Sequence, residues 1–574
     1  MHTIAANDVV RTRGVRARMM FILAPCMLGS CLAVAHGPPS GPPNGAPATC
    51  DAAGIGSTRL FADVPGVTIE SATNEMAGSG ASAVPYCLVK VLVPKAIHIW
   101  VGLPTSDKWN GRWQSVGGGG YVGSNTPPTD AVMGGYAGAT TDTGHTGGRP
   151  DLPVPILDGS FGMLSPGVPN IPQQVDFAWR SEHLMAVVGK QLVRAYYGKP
   201  ARHSYWNGCS TGGRQGLRMA QDFPDDYDGI LAGAPAIHWD RFQAGQIWYQ
   251  LVQFRDNGGP IGGGNPATLN AKQTLATSKA IAACDALDGV IDGVLTDPRQ
   301  CDYQASTDAT ITNAACTAAD PTCLTPTEAS AIDKMWIGPV ACANPDRNGA
   351  CEVPDSAARF LPPRANLRLW YPNERGTSLA GLGGALPFPI ATEQPRFWVY
   401  FDPAWDWHTL DYDNYPQFFR DSVARVGPLM ASDNPDLRRF RAHGGKLVMW
   451  HGFADQLIVP QGTIDYYDAV VRRSGGYART QQFARLFMAP GVAHCAGGAG
   501  PQPQGLFDAV VNWVERGETP ERILATRPSG GATQSRPLCP YPAFARWTGT
   551  GSSDDAANFV CRASIQSSSD SNQE

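Results

Sequence analysis

The sequence predicts an α/β fold built on a parallel sheet, on three observations. Short, continuously apolar segments such as 228–235 (DGILAGAP) and 446–450 (KLVMW) have the length and texture of strands buried on both faces. Segments of helical period, 177–197 and 214–222 among them, alternate with these strands. A chain of 574 residues, 43% hydrophobic and 17% charged, is also long enough to bury a large core. With 45 Lys+Arg against 50 Asp+Glu and a net charge of −5, the composition offers no basic excess for phosphate, so nucleic acid is excluded as a partner. Past the N-terminal region no apolar run reaches the roughly 18 residues that a membrane span needs.

The elements follow in order. Arg11, Arg13, Arg16 and Arg18 precede an apolar stretch at 19–35 that ends in Ala33-Val34-Ala35, the pattern of a signal peptide over 1–35. Leu28-Gly29-Ser30-Cys31 also resembles a lipobox, which would leave an acylated Cys31; either route places the mature chain as secreted or periplasmic. After a Pro/Gly linker at 37–48, residues 96–103 alternate as a strand, and 113–123 (WQSVGGGGYVG) read as a Gly-rich loop. The 177–197 helix is closed by Gly198 and Pro200. A strand at 203–206 runs into Gly208-Cys209-Ser210-Thr211-Gly212, and the 214–222 helix and 228–235 strand follow.

Between about 241 and 435 the texture becomes cysteine-rich and irregular, with one clear helix start in the capping box Thr325-Pro326-Thr327-Glu328. This is read as an inserted domain dividing a core made of 50–240 and 436–562. The α/β pattern resumes with 446–450 leading into His451-Gly452-Phe453-Ala454-Asp455. It continues with a strand at 485–489 before Gly491-Val492-Ala493-His494-Cys495 and a helix at 507–515. Residues 563–574 are a polar tail with nothing to bury.

The pentapeptide around Ser210 is a G-x-S-x-G motif between strand and helix, the context that holds a serine hydroxyl out of a sheet as a nucleophile. Asp455 and His494 follow in the order acid then base, each in a loop after an apolar strand, so that His494 would activate Ser210 and Asp455 would orient His494. The competing reading is a Gly-rich turn, a capping aspartate and a core histidine. The backbone N–H of Thr211 and one from Gly117–Gly120, with Gly119 favoured, would form the oxyanion hole. No dinucleotide or P-loop motif is present, and no organic cofactor is expected.

Removal of the signal leaves twelve cysteines in a chain bound for an oxidising compartment, and neither C-x2-C nor H-E-x-x-H is present to suggest zinc. Spacing alone does not fix connectivity. Near neighbours suggest Cys50–Cys87, Cys284–Cys301, Cys316–Cys323, Cys342–Cys351 and Cys539–Cys561, leaving Cys209 and Cys495 for each other. A bond between those two would bring the neighbouring Ser210 and His494 within reach. At 284–294, Asp285, Asp288 and Asp292 with the carbonyls of Val290 and Val294 offer hard oxygen ligands that suit calcium, or form a solvated acidic turn. His183 and His203 read as packed core histidines and His145 as a surface loop residue. The aromatic stretch at 397–401, with Trp405 and Trp407, reads as core of the insertion, with a wall of an aromatic-acid pocket as the alternative for some of its rings.

The segment 205–216 (YWNGCSTGGRQG), His494-Cys495 and Asp455 in its HGxxD stretch resemble the tannase and feruloyl esterase family, and the resemblance covers roughly residues 50–562. It implies an α/β-hydrolase core, a large lid at 241–435, a structural calcium ion in the Asp285–Val294 loop, and hydrolysis of small esters of aromatic acids. Feruloyl or galloyl esters are favoured, with a mono(2-hydroxyethyl) terephthalate-type substrate as the alternative. Lid arginines Arg364, Arg368, Arg375 and Arg396 are candidates to meet a free carboxylate. A non-catalytic binding module on a hydrolase scaffold is the competing reading of another class.

Overall fold

The structure is a computed structural model that describes residues 49–55, 60–342, 345, 368–529 and 532–563. The expected signal segment with Cys31, residues 564–574 and Cys351, the expected partner of Cys342, lie outside the described residues.

Nine strands form one mixed sheet: β1 (Thr68–Ala77), β2 (Val84–Val93), β3 (Ile97–Pro104), β4 (Arg112–Val116), β5 (Ala137–Thr141), β6 (His203–Cys209), β7 (Gly229–Gly233), β8 (Lys446–Gly452) and β9 (Ala484–Ala489). Their order is β1-β2-β3-β5-β4-β6-β7-β8-β9. The first four are joined antiparallel, and every pairing from β5 onward is parallel. β7 and β9 are buried at every residue, which is why their sequences read as apolar runs without alternation. The segment 113–123 is not all loop: its first residues pair with both β5 and β6, so tertiary pairing makes a strand where the glycines suggested none.

Helix α1 (Ser181–Tyr197) continues from a π-turn at Asp176–Arg180 and stops at Gly198, whose φ of 69° suits glycine. Met185, Val188, Leu192 and Tyr196 lie along its buried stripe against the sheet. Helix α2 (Thr211–Asp222) starts directly after β6.

Between β7 and β8, neighbours in the sheet, lies a long segment that includes 241–435, and among its described residues none joins the nine-stranded sheet. It holds more helix than its sequence announces: α3 (Trp239–Gln246), α4 (Pro266–Cys284), α5 (Pro326–Ile337) and α6 (Tyr415–Met430). The capping box at Thr325 is formed by both of its bonds. Helix α4 is capped by Asn265, whose side chain accepts from the amides of Ala267 and Thr268. Its small Ala and Thr side chains hid its period. Trp248, Trp336, Phe397 and Trp398 of this segment lie in an apolar cluster that also takes in Tyr121 and Phe177 from before β6, with Trp405 and Trp407 packed against it.

After β8 come α7 (Pro460–Ser474) and α8 (Leu506–Arg516). A small antiparallel sheet and a hairpin close the chain, a β-rich end that the sequence reading did not anticipate. Disulfides join Cys50–Cys87, Cys209–Cys495, Cys284–Cys301, Cys316–Cys323 and Cys539–Cys561, with Cα separations of 5.5 to 5.9 Å. Among the described residues no helix is long and apolar enough to cross a membrane.

Candidate active site

Strand β6 ends at Cys209 and α2 begins at Thr211, so Ser210 alone makes the turn. Its φ of 64° and ψ of −124° fall outside the favoured regions for an L-residue, a cost of about 1–3 kcal/mol that surrounding bonds must offset. Its N–H donates to the Gly233 carbonyl at 2.9 Å, and its carbonyl accepts from Arg214 at 3.0 Å and Ala236 at 3.1 Å. Although Ser210 stands at the helix N-cap, its hydroxyl makes no capping bond and is left for other chemistry. The glycines of the motif permit this turn: a Cβ on Gly208 would lie 2.6 Å from the Gly212 carbonyl carbon, and one on Gly117 would lie 2.5 Å from the Gly212 Cα.

That close approach brings the Gly-rich loop against the start of α2. The Gly212 N–H donates to Gly118 O at 2.9 Å, and the Gly118 N–H donates to Gln215 Oε1 at 3.0 Å. Gln215 in turn donates to the buried Glu182 of α1, tying loop, α2 and α1 together. The expected Gly119 amide already donates to Val122 O at 3.2 Å. The Gly120 N–H has no partner among the described residues, while the Gly120 carbonyl accepts from Thr211 Oγ1 at 2.7 Å. The loop amide left for a ligand is therefore that of Gly120, one residue beyond the glycine favoured from sequence.

Asp455 follows the end of β8 and is fully buried. Its Oδ1 accepts the amides of Leu457 at 2.9 Å and Ile458 at 2.8 Å. Its Oδ2 lies 2.8 Å from His494 Nδ1 and 3.0 Å from His451 Nε2. Burial alone would raise this carboxyl, but the two imidazoles outweigh it and hold it well below the usual carboxylate range. His451 Nε2 also faces the Ile458 carbonyl at 3.0 Å, so that nitrogen carries the proton and Nδ1 accepts from the Thr463 hydroxyl at 2.8 Å. Sequence reading assigned no role to His451, although its place four residues before Asp455 was the signal. The His494 N–H donates to Gln456 Oε1 at 3.1 Å, a further support that the sequence did not reveal.

The Cys209–Cys495 bond, with Cα atoms 5.9 Å apart, links the Ser210 turn to the His494 loop. Ser210, Thr211, Gly120 and His494 line one cavity of about 310 Å³, walled by Trp239, Phe242 and Phe388. A larger cavity of about 600 Å³ lies across the loops that carry Asp455 and His494 and shares no lining residue with the first; because it reaches neither Ser210 nor His494, the smaller one is the candidate active site. Of the four arginines singled out in the sequence, the three described ones do not line it. Arg368 donates to Ile337 O, Arg375 Nε to Tyr303 O at 3.1 Å and Arg396 Nε to Trp405 O at 3.2 Å, while Arg364 lies outside the described residues.

His145 is buried rather than exposed on its loop. Its ring stacks on Phe161 with centroids 3.4 Å apart, Nε2 lies 2.6 Å from Tyr121 O, and burial pushes its pKa down to about 4. His183 and His203 are half-buried beside Asp226 and Asp228. In the 285–294 loop, Asp285 Oδ2 accepts the Gly293 amide at 2.9 Å while its Oδ1 is buried without a partner. Asp288 accepts from Val290 N and Thr296, and Asp292 accepts from Val294 N and from Arg536 at 2.5 Å. The Cys316–Asp320–Cys323 group is no metal site, because its thiols form a disulfide.

The family model "Tannase and feruloyl esterase" matches residues 87–562. A "Probable feruloyl esterase" of Arthroderma benhamiae is 36% identical over 475 residues, 81% of this chain and 82% of its own. A mono(2-hydroxyethyl) terephthalate hydrolase of Piscinibacter sakaiensis is 31% identical over 545 residues, 85% of this chain and 86% of its own. The crystal structure of feruloyl esterase B from Aspergillus oryzae superposes with a TM-score of 0.71 at 26% identity, covering 88% of this chain and 99% of that one. Sheet, turn and likeness agree on an α/β-hydrolase fold, and the chain belongs to the tannase and feruloyl esterase family of carboxylic ester hydrolases.

Proposed function

We propose that this protein is a secreted serine esterase that cleaves esters of aromatic acids, feruloyl or galloyl esters foremost, through Ser210, His494 and Asp455. The observation that carries the reading is the tie between a strained, uncapped Ser210 and a His494 oriented by a buried Asp455, made by the Cys209–Cys495 bond. His494 Nε2 takes the Ser210 proton as Oγ attacks the ester carbonyl, and Asp455 stabilises the imidazolium through Nδ1–H. The amides of Thr211 and Gly120 stabilise the tetrahedral oxyanion. His494 returns the proton to the departing alcohol, and water, activated the same way, releases the acid from Ser210. The disulfides agree with export, the function expected of residues 1–35.

A calcium ion in the 285–294 loop belongs to the same reading. The unpartnered, buried Asp285 Oδ1 fits a cation, as do the Val290 and Val294 carbonyls, which accept no hydrogen bond among the described residues. Asp285, Asp288 and those carbonyls would hold the ion, with Asp292 shared between it and Arg536. Its contribution would be structural, fixing the loop closed by Cys284–Cys301.

A terephthalate monoester is the second reading, favoured by the Piscinibacter sakaiensis relative. The test is release of free acid from methyl ferulate, methyl gallate and mono(2-hydroxyethyl) terephthalate by the protein and its Ser210→Ala variant. Turnover abolished by the substitution is expected. Failure with every ester, together with a Ser210 that no fluorophosphonate labels, overturns the reading.

A further inference from the structure

We propose that Gln243 and Gln246 form a subsite that hydrogen-bonds a phenolic hydroxyl on the acyl ring, so that the cavity selects neutral hydroxyaryl esters over esters whose acid carries a second, ionised carboxylate. The proposal rests on the serine-esterase reading, because it concerns the same cavity.

Helical spacing puts Trp239, Phe242, Gln243 and Gln246 on one face of α3, and all four line the cavity that holds Ser210 and His494. The two aromatic residues suit an apolar wall. The two glutamines do not: they are 2% and 3% exposed, and their hydrogen-bonding capacity is unmet. Gln246 Nε2 donates to Leu457 O at 2.8 Å, which fixes the orientation of that amide and leaves Oε1 as the orphan. Gln243 Oε1 is likewise buried without a partner, and its Nε2 makes no hydrogen bond among the described residues. Gln253, a buried glutamine on the helix Trp248–Asp256, shows the contrast: it donates to Gly384 O at 3.0 Å and accepts from Ile261 N at 3.0 Å, so both its ends serve the fold.

Unmet amides in a cavity call for a ligand group able both to donate and to accept. A phenolic O–H donates to an amide carbonyl, and its oxygen accepts from the Gln243 amide N–H, while Trp239, Phe242 and Phe388 pack the ring. A carboxylate in that place could accept from the Gln243 amide N–H but has no hydrogen to donate to the Gln246 carbonyl, which it would face unpaired. Among the described lining residues there is no Lys or Arg to neutralise it, and His494 is the one ionisable side chain.

The experiment compares kcat/KM for methyl ferulate, methyl 3,4-dimethoxycinnamate, in which the hydroxyl is capped, and mono(2-hydroxyethyl) terephthalate. The unaltered protein is expected to favour the ferulate over each of the others by at least about tenfold, as a site built to pair a hydroxyl does. In Gln243→Leu/Gln246→Leu the ferulate-to-dimethoxycinnamate ratio should fall toward one. A ratio near one in the unaltered protein, equal losses on both cinnamates in the variant, or a terephthalate monoester preferred overturns the subsite. Calorimetric binding of the two cinnamates to Ser210→Ala judges it separately from catalysis. A tenfold weaker ferulate Kd on adding the glutamine substitutions supports it, and an unchanged Kd ratio overturns it. Full turnover by Ser210→Ala would defeat the esterase reading while that binding ratio still decides the subsite.

Discussion

Replacing both Cys209 and Cys495 with serine removes the covalent tie between the Ser210 turn and the His494 loop. The bridge spans a sequence separation of 286 residues, and the chain-entropy relation gives about 5.6 kcal/mol at 25 °C for a loop of that length. The Cys316–Cys323 bridge spans 7 residues, for which the same relation gives about 2.4 kcal/mol. With an unfolding entropy near 2.1 cal/mol/K per residue over roughly 500 folded residues, loss of the long bridge lowers Tm by about 5 °C and loss of the short one by about 2 °C. Activity separates the two further. Neither Cys316 nor Cys323 lines the active-site cavity, whereas Cys209 and Cys495 do, and a displacement of about 1 Å between reacting groups can cost about a hundredfold. Calorimetric melting and kcat/KM on methyl ferulate at 25 °C, where both variants remain folded, form the assay. The Cys209/Cys495 variant should lose at least tenfold in kcat/KM beyond its thermal loss, and the Cys316/Cys323 variant should lose stability alone. Unchanged Tm and kcat/KM in the Cys209/Cys495 variant would refute the clamp, and a lowered Tm with full activity would reduce it to a global staple.

Gly120→Ala places a Cβ 2.2 Å from the Ile156 carbonyl at a φ of +55°, whereas nothing lies within 4 Å of a Cβ on Gly119. Steady-state kinetics should therefore show kcat falling by about a hundredfold or more in Gly120→Ala and by far less in Gly119→Ala, the reverse order restoring Gly119 as the oxyanion donor. His451→Phe removes one donor from the Asp455 carboxylate, a charged hydrogen bond worth about 1.5–3 kcal/mol, so kcat should drop by about tenfold or more with KM nearly constant; an equal effect on both parameters would count against an orienting role. Asp285→Asn should lower Tm and abolish any rise in Tm on adding calcium to chelator-treated protein, and a chelator with no effect on the parent protein would remove the ion from the loop. Burial pushes the Glu182 carboxyl from 4.5 up to about 7, with Arg214 drawing it partly back. The native state thus holds that proton more tightly than the unfolded chain, and the stability it contributes is full below pH 4.5 and is lost as pH rises through 7, by about 3 kcal/mol. Urea unfolding of Glu182→Gln should show a smaller loss between pH 5 and pH 8 than the parent, and parallel pH profiles would contradict this.

What the sequence disclosed and what it hid divide along a physical line. Strands β7, β8 and β9 were legible because burial on both faces writes itself as an unbroken apolar run, and with them the positions of Ser210, Asp455 and His494 in loops just after strands. β4 was hidden because five strand residues beside four glycines carry no period, and only pairing with β5 and β6 makes them a strand. α4 was hidden because Ala and Thr side chains mark a helix face weakly. Which glycine keeps a free amide was illegible in principle: Gly117, Gly118, Gly119 and Gly120 are chemically identical, and the distinction lies in bonds to Asn207, Gln215 and Val122 from elsewhere in the fold.

The glutamines of α3 stand between these cases. Two amides on the otherwise apolar 239–246 face are a visible mismatch in the sequence, but a mismatch has more than one physical outcome: Gln250 and Gln273 also leave a buried Oε1 without a partner, away from the active-site cavity. Where a buried amide finds backbone partners, as Gln253 does, it is part of the packing. Where its partners are missing beside the cavity lined by Ser210 and His494, desolvating it is unfavourable in the empty enzyme and favourable only when a ligand completes the bond. Differential binding of that kind separates a ring with a hydroxyl from one without it, which a purely apolar wall of Trp239, Phe242 and Phe388 does far less well. The same lining leaves a buried carboxylate without a counter-charge, so the choice between a hydroxyaryl ester and a terephthalate monoester turns on unmet hydrogen bonds rather than on the catalytic residues, which would act alike on either ester.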